Sequence, residues 1–122
     1  LEATTFEVAT KWSCLAGYKK LGTRTNIGSG AYNTSLMKKA CPGFYDEKLN
    51  PGGDKTDWFV PSRDELNELW RILDQGKISD NFYWSSSEIV ASFAWLQDFG
   101  SGAQGNTGKS TTVYVRPVRA FG

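Results

Sequence analysis

Histidine is missing from all 122 residues of this chain. That removes Ser-His and Cys-His nucleophile pairs and imidazole metal sites. No P-loop and no G-x-G-x-x-G turn is present to cradle a phosphate. Apolar runs are short, and none approaches the roughly 18 residues of a membrane span, so no membrane insertion is expected. Charge of one sign is lacking too. The 14 basic and 13 acidic residues are interspersed and net +1, whereas a nucleic-acid binder shows a basic stripe. Carboxylates cluster only at Asp46-Glu47 and at Asp54 and Asp57, which read as solvated surface rather than calcium ligands. These absences point to no metal, no cofactor and no nucleic-acid partner. The chain does not begin with Met and shows no leader-like start, so it reads as a fragment or a processed chain.

Aromatic residues and glycine are plentiful. Aromatics make up 14% of the chain, with five Trp and 13 Gly. Such a chain is not disordered. It reads as one α+β domain over residues 1–122, rich in turns and short strands. Thr5 to Ala9 alternates like a strand. Asn33 to Cys41 reads as a short helix, with Asn33 as its N-cap and Pro42-Gly43 as its stop. Residues 42–56 read as loop. Ser62-Arg63-Asp64-Glu65 is a capping box after Pro61. Leu66, Leu69, Trp70 and Leu73 then form one apolar stripe of a helix that Gly76 ends. Three strands follow. Phe82 and Trp84 share a face of the first, and Phe93, Trp95, Gln97 and Phe99 a face of the second. Val113 to Phe121 is the third, with Pro117 marking a bulge or an edge. Gly100 to Gly108 reads as a small, polar, Gly-rich connection. The two cysteines, Cys14 and Cys41, suit a disulfide closing about 28 residues, worth roughly 3–4 kcal/mol.

The stretch Tyr83-Trp84-Ser85-Ser86-Ser87-Glu88 is chemically conspicuous. Glu88 and Asp98 flank a hairpin and could approach each other as a glycosidase-like pair. The competing reading is a scaffold. A carboxylate after an apolar strand is partly buried and needs a partner. Arg116 or Arg119 on the last strand is the expected one, and the three serine hydroxyls would satisfy nearby backbone groups.

Four segments in order carry a resemblance. They are Asp57-Trp58-Phe59-Val60-Pro61-Ser62-Arg63-Asp64-Glu65-Leu66, Tyr83 to Glu88, Ala94-Trp95, and Val115-Arg116-Pro117-Val118-Arg119-Ala120-Phe121. Together with Ile27-Gly28-Ser29-Gly30, Asn33-Thr34 and Ala40-Cys41, they resemble the Legionella collagen-like C-terminal (DUF1566) domains over about residues 27–121. The resemblance implies a C-type lectin-like fold of the formylglycine-generating-enzyme type, with two short helices packed on small antiparallel sheets. It implies surface adhesion or ligand binding, in some members to sulfated glycans, outside the cell, on its surface or on a virion. The oxidase branch uses a late cysteine pair, and both cysteines here are early. The Glu-Pro-Asn and Trp-Asn-Asp triplets of calcium lectins are absent.

The chain also resembles the variable proteins of diversity-generating retroelements, which use this fold. Their mutagenesis turns Asn codons into NNY codons, which cannot give Glu, Lys, Met, Gln or Trp. Between Ile89 and Tyr114 the only such residues are Trp95, Gln97, Gln104 and Lys109. These, with Ala94, Phe99 and Gly102, would form a fixed frame. Trp84, Trp95, Phe99 and the pair made by Glu88 with Arg116 or Arg119 would be the rigid base. The expected contacts with a protein or glycan ligand are Ile89, Val90, Ser92, Phe93, Leu96, Asp98, Ser101, Ala103, Asn106, Thr107, Ser110, Thr111 and Val113. Phe93 has a core reading as well. Lys109 reads as a solvated loop lysine or a contact for an anion. The function expected is non-catalytic binding through a diversified face. The alternatives are a fixed adhesin or glycan-binding domain, or a virion decoration module, and oligomerisation stays open.

Overall fold

The computed structural model describes residues 2–3, 8–12, 20–49, 58–72 and 81–119. The earliest elements are two short strands, β1 (Glu2–Ala3) and β2 (Val8–Thr10). Helix α1 spans Gly30–Ala40 and the four-residue α2 spans Asp46–Leu49. Helix α3 spans Arg63–Ile72. Then come β3 (Phe82–Val90), β4 (Phe93–Asp98), β5 (Gln104–Gly108), β6 (Val113–Val115) and β7 (Val118–Arg119).

The architecture is α+β, as expected, but the main sheet is mixed rather than antiparallel. Its strand order is β2-β6-β3-β4-β5, and β6 lies parallel to β3 through Tyr83 and Tyr114. A second sheet of two strands joins β1 to β7. The single expected strand from Val113 to Phe121 is split. Arg116-Pro117 breaks it because proline cannot donate to a ladder, and its two parts enter different sheets.

Local chemistry explains the helices. In α3 the capping box closes as expected. Ser62 N donates to Glu65 Oε1 at 2.9 Å and Glu65 N donates to Ser62 Oγ at 3.3 Å. Leu66 and Leu69 are buried with Phe59, Tyr83, Phe99 and Val118. Leu73 and Gly76 lie outside the described residues. Helix α1 starts earlier than expected, with Ser29 rather than Asn33 at its N-cap. Asn33 is instead buried in the first turn. Its Oδ1 accepts from Arg24 N at 2.8 Å and its Nδ2 donates to Arg24 O at 2.7 Å. Bonding a neighbouring loop, it cannot cap its own helix. The helix ends at Cys41, whose amide donates to Met37 O, and Gly43, at φ +83, sits in the next turn, which Phe44 N closes on Cys41 O at 3.1 Å.

The core has two lobes on opposite faces of the main sheet. Trp12, Met37, Tyr45, Val60, Trp84 and Ala94 anchor one, joined by Val113 and Val115. The other lies under α3. Burial pushes the Tyr45 phenol up, and its hydroxyl donates to Trp12 O. Cys41 is buried at the end of α1. Cys14 lies outside the described residues, as do the expected strand residues Thr5 to Glu7. Among the described residues no helix is long and apolar enough to cross a membrane.

Candidate functional site

Strand β3 carries the serine triplet through a bulge. Its register with β4 shifts between Trp84 and Glu88. The ladder is interrupted there, so Ser85 to Ser87 need other partners, and they have them. Ser86 N donates to Pro61 O at 2.7 Å, and Ser85 O accepts from Trp12 Nε1 at 2.8 Å. Ser85 Oγ donates to Trp95 O at 2.9 Å and Ser87 Oγ to Arg24 O at 2.7 Å. Ser87 Oγ also accepts from Arg63 N, and Ser86 Oγ from Asn33 Nδ2. Fully buried hydroxyls bonded in this way brace backbone. The serines tie α1, α3 and the 20–26 segment to the central strand.

Glu88 ends the triplet, and its partner is neither Arg116 nor Arg119. Its Oε2 meets Lys109 Nζ at 2.7 Å, with both side chains fully buried. Its Oε1 accepts from three successive backbone amides, Leu21 at 2.7 Å, Gly22 at 2.6 Å and Thr23 at 3.0 Å. Lys109 also lies 4.3 Å from the Trp12 ring centroid. So Lys109 is not the solvated loop lysine expected. It follows Gly108, which pairs with Phe93, and its amide donates to Ser92 O at 2.9 Å. That register brings it alongside Glu88, while Arg119 stacks on Trp58 with 5.6 Å to the centroid. Burial raises the Glu88 pKa, but the hydrogen bond and charge of Lys109 and the amides of Thr23 and Leu21 outweigh it. The net shift is downward. Glu88 and Asp98 are not brought together as a carboxylate pair. Glu88 pairs across with Ala94 and Asp98 with Phe82, about 20 Å apart along the hairpin. One spacing was missed in the sequence: Ser35 and Lys38 stand as S-x-x-K on α1. The exposed Ser35 hydroxyl donates to Tyr32 O at 2.6 Å, a bond back to the preceding turn.

The residues expected to form the fixed frame have structural roles. Ala94 and Gln97 are fully buried and Phe99 nearly so. Arg63 lies over the Trp95 ring at 5.0 Å. Gln97 Nε2 donates to Asn67 Oδ1 and Gly102 O, both at 3.0 Å. Gln104 Nε2 donates to Arg63 O at 2.9 Å. Gly102 has φ +82 and lies under Trp70, where a Cβ would come within 2.3 Å of the ring.

The expected contact residues fall into three places. Val90, Ser92, Phe93, Ser110 and Thr111 are exposed at the β3–β4 turn and the β5–β6 loop, with Ile89 half-buried beside them. Phe93 is 43% exposed, so it is not core. Asp98, Ser101 and Ala103 lie at the far end of the hairpin. There Asp98 accepts from Gly100 N at 2.8 Å and from Ser101 Oγ at 3.0 Å, closing its own turn. Leu96, Asn106, Thr107, Thr111 and Val113 line a groove of about 440 Å³. Val113 is also a core residue, which limits what it offers a ligand. The groove's other lining residues are Asn81, Phe82, Thr112 and Tyr114. These were not expected from the sequence. Phe82 was read as sharing a strand face with Trp84; it is 53% exposed, whereas Trp84 is buried. Strand β5 was missed because Gln104 to Gly108 has glycine at two of its five positions and little β-propensity.

Comparison with protein families settles the kinship. The profile of the Lcl C-terminal domain family matches residues 12–119. The chain belongs to that family. The match reaches further toward the N-terminus than the quoted motifs and takes in Trp12, whose indole bonds the serine bulge. No curated protein matches this Lcl C-terminal domain.

Proposed function

We propose that this Lcl C-terminal domain is a non-catalytic ligand-binding module with a C-type lectin-like fold. Its residues 89–113 form a face that a retroelement diversifies, displayed outside the cell or on a virion. One observation carries the reading. Within this segment, the residues an Asn-codon mutagenesis cannot make are each engaged in structure. Lys109 neutralises Glu88, Gln97 bonds Asn67, Gln104 bonds α3 and Trp95 meets Arg63. Most residues it can make are wholly or partly exposed, Val90, Ser92, Phe93, Asn106, Ser110 and Thr111 among them. Rigid frame and tolerant surface are largely distinct, as a variable binding face requires, with the buried Val113 and the exposed Gln104 as exceptions.

The test is in the DNA beside the gene. A reverse transcriptase and a template copy of the codons for residues 83–121, differing only at adenines, are expected. A locus with neither would sink the diversification and leave a fixed face. The turn that Asp98 and Ser101 close for themselves favours that second reading, a fixed adhesin of the same fold. A bridge between Cys14 and Cys41 fits an oxidising setting, and unchanged intact mass under reducing conditions would exclude it.

A further inference from the structure

We propose that the groove beside Phe82 binds a neutral saccharide. This rests on the reading of residues 89–113 as a ligand-binding face. The groove, at about 440 Å³, falls within the range of small-molecule sites. That leaves room for a short oligosaccharide. Its chemistry narrows the ligand. Among the described residues no charged side chain lines it. Lys109, two residues from both Thr107 and Thr111, is already neutralised by Glu88 at 2.7 Å. An anionic or cationic ligand would lose its hydration there and gain no counter-charge.

Yet the groove is not a purely apolar slot. Asn106 offers amide donors and an acceptor, and Thr107, Thr111 and Thr112 offer hydroxyls that both donate and accept. Thr107 Oγ1 and Thr111 Oγ1 lie 3.4 Å apart, and either can donate to the other. Such a pair exchanges readily with a ligand hydroxyl. Beside them Phe82 leaves 53% of its surface open. A pyranose presents the same two chemistries. Its C–H face packs on the negative face of an aromatic ring, and its rim of hydroxyls matches amide and threonine groups. Phe82 lies before the segment 89–113, while Asn106 and the threonines lie within it. The stacking platform is therefore fixed, and the groups that read hydroxyl stereochemistry are those open to change.

Calorimetric and NMR titrations of the whole chain would test this. The ligands are neutral gluco-, galacto-, manno- and N-acetylglucosamine oligosaccharides, with sulfated heparin-type oligosaccharides of matched length beside them. At least one neutral series is expected to bind, with little dependence on salt. Phe82→Ala should weaken it about tenfold, Phe82→Tyr should retain it, and Thr107→Val should weaken it or alter which sugar is preferred. Phe82 is half-exposed, so its variants are expected to fold. The proposal is overturned if no neutral series binds at about 10 mM, if Phe82→Ala leaves affinity unchanged, or if only sulfated ligands bind, with salt-dependent affinity. A template repeat found beside the gene while every sugar titration fails would leave the diversified face standing and remove the saccharide. Sugar binding that ignores substitutions at Asn106, Thr107 and Thr111 would overturn the division into fixed platform and varied rim, and with it the diversified reading of this groove.

Discussion

Glu88 ties two distant stretches of the chain together through one side chain. It joins residues 21–23 to Lys109 through a carboxylate that water does not reach. A buried pair is costly to break, because the survivor keeps an uncompensated charge. Glu88→Gln should therefore destabilise the fold by about 3 kcal/mol in urea unfolding. Lys109→Met should cost less, since the carboxylate keeps its three amide donors. The double variant should recover part of the Glu88→Gln loss. The pH dependence has a definite sign. The folded carboxyl titrates below its ordinary value of 4.5, so the unfolded chain takes up its proton first. The pair's contribution is complete above about pH 5. It fades as pH falls through the lowered folded value, so the gap between wild type and Glu88→Gln should narrow under acid. A gap that widened instead would refute the assignment.

At the scale of elements, legibility followed local chemistry. Helix α3 was readable because its cap, its stripe and its preceding proline act over a few residues. The Ser85 and Ser87 hydroxyls bond backbone groups as expected, since buried hydroxyls in a strand need partners. The partner of Glu88 was not readable. Arg116 and Arg119 looked adjacent only while Val113 to Phe121 was one strand and Gly100 to Gly108 a loop. Once β5 forms, its register delivers Lys109, and no pattern within residues 104–108 announces a strand. The exposure of Phe82 was not readable either, because alternation gives a face but not what covers it. Glycine in the β4–β5 hairpin allows a paired test. Gly102→Ala faces both a left-handed backbone and the Trp70 ring. It should cost at least about 2 kcal/mol. Gly105→Ala meets nothing within 4 Å, and should stay within about 0.5 kcal/mol of wild type. Equal losses at both sites would contradict the packing of Trp70.

The whole molecule separates what supports the fold from what faces outward. Single substitutions at Val90, Phe93 and Thr111 should shift unfolding by no more than about 0.5 kcal/mol, measured in urea. Substitutions at Trp84, Gln97 or Lys109 should cost several-fold more. If the exposed set proved as sensitive as the buried one, the segment would be ordinary structure and no site for variation.

Strand β6 lies between β2 and β3 in the main sheet, and β7 closes the second sheet against β1. Phe59 also bonds Val118 in both directions, at 2.7 and 2.9 Å. Strands β1 and β2 and residue Phe59 thus wait for residues 113–119. During synthesis the domain cannot complete either sheet while those residues remain in the ribosomal exit tunnel. Strands β1 and β2 must emerge without their sheet partners, open to chaperones, until the last strands arrive. A stalled nascent chain ending near residue 110 should therefore be digested by protease at any tether length, whereas one carrying residues 1–122 on a long tether should resist.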